Sequence, residues 1–465
     1  MSGHRIFPAK LDSALLWQGL CFGLCFFAFQ LTEFTVNDRC AVLLGAERVN
    51  AVYAVGVACT ALGFLAFSGL RRLFPGEAAR KRTVCLVGAV AVTAALAVVW
   101  ATGAGLFLTG SFLALLALGC IGGNVYYNVA MSFQGSAYTG RVVGVAAGGA
   151  VLAQFAVQNL FVTELAFVVG VALSVALLVW FAIRPARDWM FDNPLPYSAE
   201  NKTDRQTALT LVLAVLLMSL VVALIDGVVV ALHAEGQVSV SDQARLFYAA
   251  GLIVAGLAAD VGKRRFLPLV TVCVMFASTI ANAFLASSAT YFWSVACMYL
   301  YCGFYVVFLT VAFLDLAPQT RDPALWAGMG RVIRGGVVAV TAVPTARLFA
   351  SLGSTALVVG SCLLSVLTLL ALFRTIAANL QAKPEAAVPA APSEAERQQA
   401  FADQYNLTPR ETEVLAALLS DQEGVQEMAD ALALSRRVMQ RYITAIYEKT
   451  SAKSRLNLFQ MYSRM

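Results

Sequence analysis

Charge is scarce in this sequence, and so are the residues that build metal centres and active sites. Only 13% of its 465 residues are charged, against about 25% in soluble globular domains, which excludes an ordinary water-soluble protein. There are two histidines, and the ten cysteines contain no C-x-x-C pair and none fall in the last hundred residues. They lie mostly inside apolar runs and read as packing residues, so neither a zinc site nor a disulfide framework is expected. No phosphate-cradling loop, nucleophile–base constellation or metal-ligand spacing occurs. The chain reads as a non-enzyme with no catalytic residues, metal or cofactor. A short cleavable leader is also missing: the first apolar run, from Leu15 to about Val36, is long enough to stay in a membrane.

What is present is apolar length. Hydrophobic residues make up 60% of the chain, and the mean hydropathy is +0.75. A bilayer crossing takes roughly 20 apolar residues, because the backbone must satisfy its own hydrogen bonds in hydrocarbon. About twelve such spans are expected, near 14–36, 49–70, 83–101, 104–129, 139–160, 163–183, 208–231, 244–262, 266–287, 290–315, 327–350 and 355–378. With the N-terminus inside, the inner loops collect Arg71, Arg72, Arg80, Lys81, Arg82, Arg141, Arg184, Arg187, Lys202, Arg205, Lys263, Arg264 and Arg265. The outer loops keep little beyond Arg39, Arg48 and Arg245. This asymmetry predicts a multi-pass membrane protein with both termini cytoplasmic.

The longest central connection, 184–206, divides the spans six and six, and Glu33 and Asp226 fall at matching depths in spans one and seven. Between spans eight and nine stand Gly256, Asp260, Gly262, Lys263, Arg264 and Arg265. This loop resembles the G-x-x-x-D-x-x-G-[RK]-[RK] motif of the major facilitator superfamily, with one residue fewer between the Asp and the next Gly. The resemblance implies a helical transporter-type body over residues 1–378, with a central cavity between its halves.

Ionisable side chains at membrane depth cost about 2.5–3.5 kcal/mol on insertion scales, so each needs a partner, a cavity or a role. Glu33, Asp226 and Arg334 are the candidates for a ligand pocket, together with Asn124, Tyr127 and Asn128 of span four and Tyr301 and Tyr305 of span ten. Carboxylates would meet a donor or a cation, tyrosines would stack on a planar body, and Arg334 would clamp an anion or pair internally. Arg331 is expected to snorkel toward the inner surface. Gly140, Gly144 and Gly148, four apart, predict a close helix contact.

Beyond residue 378 the hydrophobicity collapses. Residues 379–405 read as a flexible Pro/Ala linker, and 406–465 as a small helical unit. Thr408 is placed to cap a helix with Pro409 at its first position, Asp421–Gly424 to turn, and Ser435 to cap a helix from Arg436 to Lys449. Val438, Tyr442 and Ile446 share one face of that last helix, and Arg437, Gln440, Arg441 and Thr444 another. Charge is polarised: Leu407–Asp430 has one basic and six acidic residues, Ser435–Arg464 seven basic and one acidic. The strings L-T-P-R-E-x-E-V-L, E-M-A-x-x-L and V-M-Q-x-Y-x-x-x-I-Y-x-K-T resemble the LuxR-type helix-turn-helix family. That resemblance implies four helices, transcription control and dimeric binding to promoter DNA. The DNA-facing candidates are Arg436, Arg437, Gln440, Arg441, Thr444, Lys453 and Arg455.

The sequence therefore predicts an all-α chain: a polytopic bundle of about twelve helices followed by a four-helix DNA reader. The expected function is a membrane-bound, one-component transcription regulator that senses an unidentified small molecule and reads DNA as a homodimer. The alternative is a secondary transporter with an attached regulatory DNA-binding domain.

Overall fold

In hydrocarbon an isolated apolar segment satisfies its backbone only as a helix. The computed structural model describes residues 13–134, 136–160, 163–184, 191–195, 205–236, 243–262, 264–281, 290–381, 394–420 and 424–465, with no strand among them. The first half comprises α1 (Ser13–Leu44), α2 (Ala46–Leu73), α3 (Glu77–Trp100), α4 (Ala104–Ser132), α5 (Thr139–Leu160) and α6 (Glu164–Ile183). The second comprises α7 (Arg205–Ala234), α8 (Arg245–Asp260), α9 (Leu267–Ala281), α10 (Tyr291–Leu316), the short α11 (Pro323–Trp326) and α12 (Met329–Gln381). The terminal domain comprises α13 (Glu394–Gln404), α14 (Pro409–Leu419), α15 (Val425–Ala431), α16 (Arg436–Thr450) and α17 (Arg455–Ser463).

Ten helical stretches among the described residues are long and apolar enough to cross a membrane. They are α1 to α7, α10 and the two arms of α12, which bends at Gly353 (φ 66°, ψ −160°). The eighth and ninth expected spans exist as the shorter α8 and α9, of 16 and 15 residues. The shortening of α8 has a physical cause: it stops at Asp260, whose carboxylate is committed to capping another helix. The flanking residues 237–242, 263 and 282–289 lie outside the described residues, as do Arg187, Lys202, Lys263 and Asp421 of the expected loops and turn.

Two further expectations need correction. The linker does not extend to residue 405, because α13 occupies 394–404 and buries Phe401 completely in the terminal domain's core. An aromatic ring with a surface to bury against orders the segment that carries it. Helix α12 likewise continues through Gln381, so only 382–393 lie between, outside the described residues. Arg245, expected as an outer-loop charge, opens α8 and is 4% exposed.

The halves meet where side chains are smallest. A Cβ on Gly144 of α5 would lie 2.4 Å from Leu252 O and 2.7 Å from Gly256 Cα of α8, an approach only glycine permits. At the end of this crossing, Asp260 accepts from the Gly140 and Arg141 backbone N–H groups, both at 2.8 Å, and from Arg141 Nε at 2.9 Å and Arg264 Nη1 at 2.6 Å. A carboxylate at the α5 N-terminus satisfies orphan donors there and meets the positive end of its dipole. The loop one residue shorter than the facilitator motif is accommodated by left-handed backbone at Gly262 (φ 60°) and Arg264 (φ 71°). A second cross-half contact matches it. Asp322, the N-cap of α11, accepts from Ser68 Oγ of α2 at 2.8 Å and from Arg72. Both latches lie on the face that carries the basic loops, and both are closed.

The terminal domain rests on this same basic face. Leu456 of α17 is fully buried in a cluster with Phe67, Cys120, Tyr127, Met131 and Ala324 of the body. Leu195 N–H donates to Gln460 Oε1 at 2.8 Å, and Asn457 Nδ2 donates to Asn193 O at 3.0 Å. A domain expected to hang from a flexible linker is instead seated.

Candidate ligand pocket and nucleic-acid interface

The pocket begins with polar residues on the cavity-facing side of α1. Gln30, Glu33 and Asn37 recur at helical spacing, and the body closes around them with Tyr53, Asp226, Arg245, Tyr248, Tyr299, Tyr305 and Arg334. The enclosed volume is about 70 Å³. It extends toward Asp38 and His233, whose Nε2 lies 3.0 Å from Asp38 Oδ1 on the side opposite the latches.

Within it, Arg334 Nη2 lies 3.6 Å from Asp226 Oδ2, and Tyr53 donates its hydroxyl to the same oxygen. Asn50 Nδ2 donates to Gly227 O at 3.1 Å, fixing α2 against α7 beside the pair. Arg245 donates to Gln30 Oε1, and its guanidinium stands 4.3, 5.0 and 5.3 Å from the ring centres of Phe34, Tyr248 and Tyr299. This aromatic box offsets part of the cost of burying a cation. Glu33 is 8% exposed, and its Oε2 has no hydrogen-bond partner; Asn37 Oδ1, also at the cavity, has none. Buried acceptors left unmatched cost free energy. The cavity can thus receive a hydrogen-bond donor or a cation at Glu33, beside aromatic faces and next to an already paired Asp226–Arg334.

The expected pocket residues separate into two groups. Glu33, Asp226, Tyr305 and Arg334 come together. Asn124 and Asn128 do not: they line a cavity of about 280 Å³ with Trp17, Gln18 and Phe181. Successive helical residues rotate by about 100°, so this i, i+4 pair faces away from the direction taken by Tyr126. Tyr127 accepts from Arg71 Nη2 at 3.0 Å near the basic face, and Tyr301 is buried with its hydroxyl toward Met218 O at 3.4 Å. Arg331 does not snorkel; its Nε donates to Tyr126 Oη at 2.8 Å beside a neighbouring cavity of about 30 Å³ that also reaches Arg334. Tyr53, Arg245 and Tyr248 were missed. Only Arg245 carried a signal, a charge beside an apolar run, and hydropathy assigned it to a loop.

In the terminal domain, Thr408 and Glu411 form a reciprocal capping box, with Thr408 N–H to Glu411 Oε2 at 2.6 Å and Glu411 N–H to Thr408 Oγ1 at 3.3 Å. Lys449 Nζ donates to the same Glu411 oxygen at 2.7 Å, stapling α16 to α14. Burial pushes the Glu411 carboxyl up, but the bonds from Lys449 and Thr408 outweigh it and hold it below the usual carboxylate range. Ser435 caps α16 by accepting from Val438 N–H at 3.3 Å. The buried stripe of α16 is Met439, Ile443, Ile446 and Thr450, while Val438 and Tyr442 are only partly covered. The core-facing stripe is therefore rotated from the one expected. That leaves Arg436, Arg437, Gln440, Arg441 and Thr444 on the exposed face, and Lys453 is exposed beyond the helix. Arg455 is turned inward, its Nε donating to Leu418 O at 2.7 Å and its Nη2 to Ser420 O at 3.2 Å, where it satisfies the last carbonyls of α14.

A bundle of membrane-spanning helices joined to a capped, basic-faced helix-turn-helix unit defines a multi-pass membrane protein that carries a DNA-binding domain. Residues 405–462 match the family described as bacterial regulatory proteins, luxR family, which gives the terminal domain its LuxR-type character. The body is similar to the crystal structure of the human organic anion transporter MFSD10 (TETRAN). That likeness has a TM-score of 0.52 at 14% identity, over 77% of this chain and 98% of that one, and it shows a major-facilitator-like fold. No curated protein matches the chain.

Proposed function

We propose that this chain is a one-component transcription regulator, in which residues 1–378 sense a small molecule and residues 406–465 bind promoter DNA. The observation that carries the reading is Glu33 Oε2, buried in the body's central cavity without a hydrogen-bond partner while the neighbouring Asp226 is paired with Arg334 and bonded by Tyr53. A ligand that donates to Glu33 would favour the body state that presents it, and a ligand acts only through such a difference in affinity. The effector is the outward face of α16, with Arg437, Gln440 and Arg441 toward base edges and phosphates, in two copies on a duplex. The luxR-family match supports a bacterial inner membrane, and the basic loops support both termini being cytoplasmic, where DNA is.

The test is transcript profiling of cells with the native chain, with Glu33→Gln, and with Arg437→Ala plus Arg441→Ala, across a panel of small molecules. The native chain should give compound-dependent expression of a small gene set, Glu33→Gln should lose the compound dependence, and the arginine variant should lose the response altogether. Compound-dependent expression that persists in Glu33→Gln would place the sensor elsewhere.

The transporter-type fold favours a second reading, an active carrier whose terminal domain regulates expression. Counterflow of the inducing compound in vesicles holding the full chain decides between them, and sustained turnover would sink the sensor-only reading.

A further inference from the structure

The seat of α17 is built from parts that also join the two halves. Leu456 is enclosed by Phe67 and Tyr127 of the first half and Ala324 of the second. Ala324 belongs to α11, whose capping residue Asp322 receives Ser68 and Arg72 from α2. The connecting segment 191–195, which receives Asn457 and Gln460, is itself pinned by the first half. Arg71 donates to Asp192 O at 3.1 Å, and Arg80 donates to Asn193 Oδ1 at 3.0 Å. Asn457 and Gln460 are 3% and 1% exposed, so the contact is closed rather than grazing. Helix α4 links the seat to the cavities: Tyr126 bonds Arg331, and the next residue, Tyr127, bonds Arg71 beneath α17.

We propose that the DNA-binding domain docks on the body only while the basic face is closed, and that separation of the halves at that face releases α17. A single rigid helix cannot follow both Ala324 and Phe67 when they part, so Leu456 loses one wall of its enclosure and the polar contacts at 191–195, which move with the first half, are left to hold α17 without it. Release need not unfold the domain, because Leu458 and Tyr462 belong to the domain's own core while Leu456 belongs to the body's cluster. This supplies the regulation for the sensor reading, on which its consequence for transcription rests; docking itself does not depend on it.

Hydrogen exchange of the full chain in lipid nanodiscs, resolved to single amides, tests it without ligand or promoter. Leu195 N–H reports docking through Gln460, and Gly140 and Arg141 N–H report closure through Asp260. Ser68→Ala plus Arg72→Ala leaves both reporters intact while removing the other latch. It should speed exchange at Gly140 and Arg141 by about tenfold or more, and at Leu195 by a similar factor, because opening equilibria set these rates. Gln460→Ala should speed Leu195 alone. Faster exchange at Gly140 and Arg141 with Leu195 still protected overturns the proposal, as does no change at any of the three in the latch variant, or protection of Leu195 that survives Gln460→Ala. A sensor reading lost in the transcript test would leave these rates as they are, so the two failures are distinguishable.

Discussion

The exposed cations of the terminal domain allow its salt dependence to be worked out before any operator is known. Of the seven expected DNA-facing residues, Arg436, Arg437, Arg441 and Lys453 present charge outward. Lys449 is occupied by Glu411 and the Asn406 carbonyl, and Arg455 by the end of α14. Each phosphate neutralised releases counterions and contributes about −0.9 to the slope of log K against log [salt], so four contacts give about −3.6 per domain. Between 50 and 200 mM salt, affinity should then fall about 150-fold per bound domain. Arg437→Ala plus Arg441→Ala should halve the slope to about −1.8 and reduce the same fall to about 12-fold.

The assay is fluorescence anisotropy of a labelled duplex with the full chain in zwitterionic nanodiscs, titrated at several salt concentrations. A nonspecific duplex suffices, because the electrostatic term is independent of sequence. Lys449→Ala and Arg455→Ala serve as controls, each removing one positive charge from a position already engaged inside the domain. They should leave the slope near its native value. If either control lowers the slope as much as the Arg437/Arg441 variant, or that variant leaves it unchanged, α16 is not the DNA-contacting face.

Arg334→Ala should destabilise the body by about 3 kcal/mol, the lower end of the range for breaking a buried pair, because the Asp226 side chain remains 25% exposed. Adding Asp226→Ala should recover about 1–3 kcal/mol, and strict additivity in detergent unfolding would show the pair to be uncoupled. Gly144→Ala should lower the folded yield, since the new Cβ would meet Leu252 O at 2.4 Å with backbone on both sides; size-exclusion profiles that match the native chain would mean the α5–α8 crossing can slide. Glu411 gives the terminal domain an acid limit. Its carboxyl is held below the ordinary 4.5, so its stabilising effect is complete above that value and is lost as pH falls through the lower folded-state value. Protection of α14 and α16 amides should therefore weaken on acidification, and Lys449→Ala should flatten that dependence.

Membrane class, six-and-six organisation and the LuxR-type unit were legible because each is written in runs and periods. Apolar length specifies a span, and Thr408, Pro409 and Ser435 specify helix starts by local hydrogen bonding that needs no distant partner. The failures are those of long-range geometry. Asn124 and Asn128 sit at a plausible depth, yet depth does not fix azimuth, and α4 turns them away from the central cavity. Tyr53 is one aromatic in an apolar helix, and only the arrival of α7 makes it a donor to Asp226. Arg245 reads as a loop charge until Gln30, Phe34, Tyr248 and Tyr299 surround it.

The seating of the terminal domain was hidden for the same reason. Leu456 has the spacing of an ordinary amphipathic residue in a short helix, and nothing local distinguishes burial against its own domain from burial against the body. The difference lies in Phe67, Tyr127 and Ala324, which are hundreds of residues upstream or on the other half. A composition boundary near residue 380 marks where one solvent is exchanged for another, and it suggests two units held apart. The contacts run the other way. Asp192, Asn193 and Leu195, in the connection between the halves, bond α17 directly, so the stretch that divides the body is also the stretch that receives its DNA-binding domain. A change in how the halves sit that parts Ala324 from Phe67 is therefore expected to reach that domain at the seat of α17, and not through the linker alone.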